Sequence, residues 1–178
     1  MNYFQLYELP VSFYIDISIL KERYDTLRQQ FQPVSAVDVE LEELRVMEEK
    51  ALLVEKGYEV FKSLDNTIVY VLAIKELLPD GENYELSEQF KMEVHDITEE
   101  LAELEMDENQ EQLMNVEQKV HTLMINNYED VAAIIESYKE DTGTEEALLQ
   151  VKDFYHQKKY LERILDRISG IRNIASPL

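Results

Sequence analysis

Apolar residues recur at steps of three and four along most of this 178-residue chain, and that spacing belongs to helices. After Pro10, Asp16 is placed to cap a helix whose stripe runs Ile17, Leu20, Tyr24, Leu27 and Phe31. Pro33 ends it, because the residue before a proline is pushed out of the α region. Beyond a loop near residues 33–37, a second stripe runs Leu44, Met47, Ala51, Val54, Tyr58 and Phe61. The two stripes face each other in an antiparallel hairpin of residues 16–31 and 40–64. Asn66 is placed to cap a further short helix, 67–78. Four glycines and four prolines are too few for the many short turns of a β-sandwich or barrel.

Turn formers concentrate once, at Pro79-Asp80-Gly81-Glu82-Asn83, which reads as a linker. Beyond it Ser87 is placed to cap a helix with the stripe Phe90, Val94, Ile97, Leu101 and Leu104. A break around residues 106–109 precedes a long helix carrying Leu113, Val116, Val120, Leu123, Val131, Ile135 and Tyr138, which Asp141-Thr142-Gly143 ends. Thr144 starts the last helix, lined by Leu148, Val151, Phe154, Leu161, Leu165 and Ile168, with Gly170 placed to terminate it. The expected fold is all-α: a helical hairpin domain over 1–78 and a C-terminal three-helix bundle over 84–178.

Charge narrows the partners. Seventeen Lys and Arg against 38 Asp and Glu give a net charge of −21, a poor surface for nucleic acid or anionic membrane. No stretch approaches the ~20 apolar residues of a membrane span, and the N-terminus lacks the basic segment and apolar run of a secretory signal. With no cysteine, disulfides and thiolate chemistry are excluded, and a reducing cytoplasm is the expected setting. Within 80–117, Lys91 stands alone against 14 acidic residues, whereas 152–172 carries six basic and three acidic ones. That imbalance favours the first and last bundle helices as neighbours, each exposed pair contributing only ~0–1 kcal/mol.

Catalytic signatures are missing. A dinuclear metal site in a bundle uses Glu-x-x-His pairs, but Met92 and Gln118 stand at that spacing before His95 and His121, and only Asp153 before His156 is a carboxylate. There is no nucleophile elbow, P-loop or dinucleotide-binding glycine pattern. No enzyme activity, metal or cofactor is expected; a carboxylate-bridged metal protein is a distant competing reading. A different feature stands out on the first bundle helix. Met92, His95, Asp96, Glu99 and Glu103 share a face opposite the apolar stripe, and a Met beside a row of acids suits docking onto an apolar patch rimmed with basic residues.

Several segments, in order, resemble a known family. Tyr3-Phe4-x-Leu6-Tyr7-x-Leu9-Pro10, Arg23-Tyr24-x-x-Leu27-x-x-Gln30-Phe31 and Tyr58-x-Val60-Phe61 resemble a J domain. Phe90-Lys91-Met92-Glu93 with Glu99-Glu100-Leu101, and Lys159-Tyr160-Leu161 with Ile164 and Ile168, resemble the C-terminal bundle of HscB-type co-chaperones of iron–sulfur cluster assembly. The resemblance implies two partners: a heat-shock chaperone ATPase recruited by the J domain, and an iron–sulfur cluster scaffold protein delivered by the bundle.

It also implies site residues. On the chaperone side these are Lys21, Arg23 and Arg28, with Gln32, Pro33 and Val34 in the hairpin loop. On the scaffold side they are Lys91, Met92, His95, Asp96, Glu99 and Glu103, with Tyr160 from the last helix. One departure matters. J domains carry His-Pro-Asp where this chain reads Gln32-Pro33-Val34, and Val34 cannot replace the charged acceptor that couples docking to ATP hydrolysis. The expectation is therefore a co-chaperone with weak or uncoupled engagement of its ATPase. The alternative is a J-like interaction module without chaperone-activating function.

Overall fold

A computed structural model of the chain describes residues 1–31, 41–78, 84–107 and 109–175. Seven helices, α1 (Tyr3–Tyr7), α2 (Ile17–Phe31), α3 (Leu41–Phe61), α4 (Leu64–Ile74), α5 (Glu88–Leu104), α6 (Gln110–Ser137) and α7 (Glu145–Ala175), and no strand occur among them. None of these helices is long and apolar enough to cross a membrane. The chain divides into two compact units, residues 1–79 with 134–148, and residues 80–133 with 149–178. The end of α6, the turn after it and the start of α7 thus cluster with the N-terminal unit.

In the first unit, α2 begins where the sequence places it. The Asp16 carboxylate accepts hydrogen bonds from the Ser18 and Ile19 amides at 2.7 and 3.3 Å. Its stripe is buried unevenly. Leu20 is fully enclosed, Tyr24, Leu27 and Phe31 are half-buried, and Ile17, at the start of the helix, lies exposed. The reason is α1, which sequence periodicity does not reveal. Phe4, Leu6 and Tyr7 from this five-residue helix are buried, with the Phe4 and Tyr7 rings against Phe61 of α3. The Tyr7 hydroxyl donates to the Val54 carbonyl at 2.6 Å. Tyr3 stacks on Tyr70 of α4 with centroids 4.8 Å apart, and the Tyr70 hydroxyl accepts from the Tyr3 amide. The hairpin core is therefore a junction of α1, α2 and α3 at the Leu20–Val54–Phe61 end.

Two helix ends differ from expectation. The cap of α4 is Ser63, three residues before Asn66; its extended backbone and its hydroxyl, accepting from the Asn66 amide, start the helix at Leu64. Glu76 sits in the left-handed region at φ 58°, and the bonds Glu76 N–Ala73 O and Leu77 N–Leu72 O close the helix in a Schellman motif, so it ends at Ile74 and not near residue 78. In the bundle, Gly170 does not terminate α7, which continues to Ala175. A glycine is tolerated inside a helix when other residues hold it, and buried Leu161, Ile164, Ile168 and Ile171 seat this one.

The second unit follows its stripes closely. Ser87 caps α5 by accepting from the Phe90 amide, and Phe90, Val94, Ile97, Leu101 and Leu104 are all buried. They pack with Leu113, Val116 and Val120 of α6 and with the α7 residues just named. Asn109 accepts from the Gln112 amide at the start of α6, and Thr144 from the Ala147 amide at the start of α7. The turn after α6 comes earlier than Asp141, since the helix ends at Ser137.

Two glycines test this packing with opposite signs. A Cβ on Gly57 would stand 2.7 Å from the Tyr7 ring, which is held by its bond to Val54, whereas a Cβ on Gly170 meets nothing within 4 Å. Gly57→Ala should destabilise by ~1–3 kcal/mol despite alanine's better helix propensity. Gly170→Ala should stabilise by ~0.5–1 kcal/mol. Urea denaturation of both variants checks the pair; a stabilising Gly57→Ala would contradict the α1–α3 junction.

Burial raises the Tyr7 phenol well above the ordinary tyrosine value, and the nearby Glu55 charge adds to the effect. The folded chain therefore keeps a proton that the unfolded chain releases above about pH 10. Its contribution to stability is complete below that pH and is lost as pH climbs further. Tyr24, raised chiefly by its bond to Glu55, and Tyr70 and Tyr138, raised by burial, act in the same sense. The urea midpoint should fall between about pH 9.5 and 11.5, and fall less steeply in Tyr7→Phe. Equal slopes would contradict this account.

Candidate functional site

Helix α5 offers its apolar stripe to the bundle core, so the residues between the stripe positions face water. Met92, His95, Asp96, Glu99 and Glu103 are all exposed along this outer face, and Met92 retains 70% of its surface. Met92 is thus a flexible apolar side chain left exposed amid carboxylates. The His95 Nε2 lies 3.3 Å from a Glu99 oxygen one turn on. Asp96 and Glu103 carry no ion pair among the described residues.

Lys91 behaves differently from the rest of the predicted set. Its ammonium is held 2.7 Å from Glu88 and 3.3 Å from Glu85, bonds that raise its pKa, the Glu88 contact most. It is a locally neutralised cation at the start of the face. Tyr160 of α7 is half-buried with its ring edge-on to Phe90, the neighbour of Lys91, at 5.8 Å between centroids, and the Arg163 guanidinium lies 5.7 Å over it. The stripe residue Phe90 thus sets Tyr160 beside the beginning of the outer face.

The basic residues near the end of α7 are engaged with acids of the other two bundle helices. Arg167 bonds Glu105, just past the end of α5, at 2.7 Å, and Arg172 bonds Glu117 of α6 at 2.7 Å. Lys119 of α6 pairs with Glu100 of α5. These contacts realise the attraction between oppositely charged helices. They also consume cations that would otherwise neutralise the outer face of α5.

In the first unit, Lys21 and Arg28 lie seven residues apart on α2, two turns along one face. Lys21 is exposed, and the Arg28 guanidinium lies 6.0 Å from the centre of the Tyr24 ring. Arg23 is on another side of the helix, where it bonds Glu8 at 2.8 Å. The structure therefore brings together two of the three predicted basic residues. Gln32, Pro33 and Val34 lie outside the described residues.

Two features have no counterpart in the sequence reading. Tyr84 lies flat on His156, with centroids 3.8 Å apart and planes 5° from parallel, while its hydroxyl donates to Asp153 and the Lys152 ammonium sits 5.4 Å over its ring. A groove of about 940 Å³ runs between α5 and α6. A single tyrosine after a linker has no periodicity to betray it, and a groove belongs to two helices at once. No group of three or more His, Asp or Glu side chains that could hold a metal gathers among the described residues.

The chain thus comprises a helical hairpin unit and a helical bundle unit whose α5 carries an acidic outer face. The chain is similar in sequence and in fold to co-chaperone proteins of the HscB type. It is 28% identical over 127 residues to the co-chaperone protein HscB of Buchnera aphidicola, covering 70% of this chain and 73% of that one. It is 23% identical over 168 residues to the HscB homolog of Acinetobacter baumannii, covering 94% and 88%. Among solved structures it is similar to the chaperone HscB from Vibrio cholerae, with TM-score 0.63, 18% identity and coverage of 97% and 98%. It is also similar to human HscB, with TM-score 0.68, 22% identity and coverage of 95% and 81%. No protein-family model matches the chain.

Proposed function

We propose that this protein is an HscB-like co-chaperone, not itself an enzyme, which presents an iron–sulfur cluster scaffold protein to a heat-shock chaperone ATPase. What carries the reading is the order of parts: likeness to HscB over 94% of the chain joins a J-like unit to a bundle whose α5 exposes Met92 among carboxylates. The scaffold contacts are Met92, His95, Asp96, Glu99 and Glu103, with Lys91 and Tyr160 at one end. Met92 and Tyr160 supply apolar contact, and the carboxylates supply attraction and register for a basic rim.

Chaperone docking falls to Lys21 and Arg28, which share a face of α2, with Arg23 turned to Glu8 and contributing less. Charge complementarity acts at encounter and does not need the loop acceptor. The loop Gln32-Pro33-Val34 retains the proline and lacks the charged acceptor, a contact worth ~1.5–3 kcal/mol. Engagement of the ATPase is therefore weak and poorly coupled to hydrolysis.

Binding to a purified cluster scaffold protein, followed by stopped-flow fluorescence, tests the scaffold face. Glu99→Lys and Glu103→Lys should slow association several-fold, with dissociation little changed. Raising the salt beyond physiological strength, where the Debye length is ~8 Å, should weaken the unmodified protein in the same way. Affinity indifferent to both salt and the reversals would place the interface elsewhere.

A further inference from the structure

Arg163 of α7 is exposed and makes no ion pair among the described residues, in a unit where Lys91, Lys119, Arg167 and Arg172 each hold a carboxylate. Its guanidinium is nevertheless held in place. It lies 5.7 Å over the Tyr160 ring, and its Nε donates to the Lys159 carbonyl at 3.3 Å. Both Nη groups are left without a protein partner among the described residues. In a chain of net charge −21, a cation fixed on a ring and unpaired has its donor fork open to a group from outside the chain.

Arg163 also borders the outer face of α5. It stands between Tyr160, whose ring meets Phe90 near the start of α5, and Arg167, which bonds Glu105 just past its end. Steps of three and four residues put all three on one side of α7. Helical angles then divide the outer face of α5 lengthwise. Lys91, His95 and Thr98 fall toward Glu105 and α7, whereas Asp96 and Glu103 fall toward Glu100, which meets Lys119 of α6. Carboxylates and the open guanidinium thus occupy opposite edges of one surface. We propose that Arg163 is a specificity residue of the scaffold-docking face and takes a carboxylate of the scaffold protein. The inference rests on the scaffold-binding reading and deepens it. The partner presents a basic rim to Asp96 and Glu103 and an acidic group to Arg163, and docking turned end for end sets like charges together.

The sign of one substitution separates this from simple attraction between an acidic face and a basic partner. If net charge alone governed docking, removing a cation would tighten it. The full chain is therefore titrated with a purified cluster scaffold protein. Arg163→Gln should weaken binding about threefold and Arg163→Glu about tenfold, since a charge-assisted pair is lost and then opposed. Arg163→Lys, which keeps the charge without the planar fork, should fall between the unmodified chain and Arg163→Gln. Lysine placed in turn at the acidic surface positions of the scaffold should identify one that weakens the unmodified chain and restores binding to Arg163→Glu. A rescued variant is a folded one. Arg163→Gln binding as tightly as the unmodified chain, or more tightly, would overturn the proposal and leave the scaffold reading standing. No binding by the unmodified chain, or binding indifferent to Glu99→Lys and Glu103→Lys, would remove that reading and this inference with it.

Discussion

Thirty-eight acidic side chains against 17 basic ones must be arranged so that helices can pack without forcing like charges together. The bundle meets this constraint by setting cations where acid-bearing helices meet. Arg167 at Glu105, Arg172 at Glu117 and Lys119 at Glu100 tie α5, α6 and α7 to one another at partly exposed positions around the apolar core. Each such pair contributes little alone, and the burial of Phe90, Leu101, Leu113, Leu161 and Ile168 supplies most of the stability. The consequence is on the outside. With those cations engaged, the outer face of α5 stays negative, and Met92 stands exposed within it.

The N-terminal unit answers a different constraint. Its α2–α3 hairpin offers only Leu20, Val54, Gly57 and Phe61 as buried positions, too few to hold two helices of 15 and 21 residues. Helix α1 and the aromatic contacts of Tyr3, Phe4 and Tyr7 with Phe61 and Tyr70 make up the difference. This leaves the outer surface of α2 free to carry Lys21 and Arg28.

What could be read from the sequence follows the length of each pattern. The stripe of α5 spans four turns, and all five of its predicted core residues are buried behind the predicted Ser87 cap. Helix α1 has five residues, barely more than one turn, so no period can form, and its burial arises from aromatic contacts with α3 and α4 distant in sequence. Ser63 and Asn66 are both good capping residues three positions apart, and backbone geometry decides between them. Gly170 carries a stop signal that the apolar positions on either side of it override. Of the candidate site, the acidic face of α5 was legible because an amphipathic helix declares both faces at once. The separation of Arg23 from Lys21 and Arg28 was equally available from helical angles, but its partner Glu8 was not, since that contact depends on how α1 ends.

We propose that a J-like unit with Lys21 and Arg28 on one face of α2, and with Pro33 but no charged acceptor at position 34, engages a heat-shock ATPase without driving its hydrolysis. Single-turnover ATP hydrolysis by the heat-shock chaperone of the same organism measures this most directly. The unmodified chain should change the rate little, and Gln32→His with Val34→Asp together should recover part of the stimulation. Strong stimulation by the unmodified chain would contradict the account, because hydrolysis would then be coupled without the acceptor at position 34.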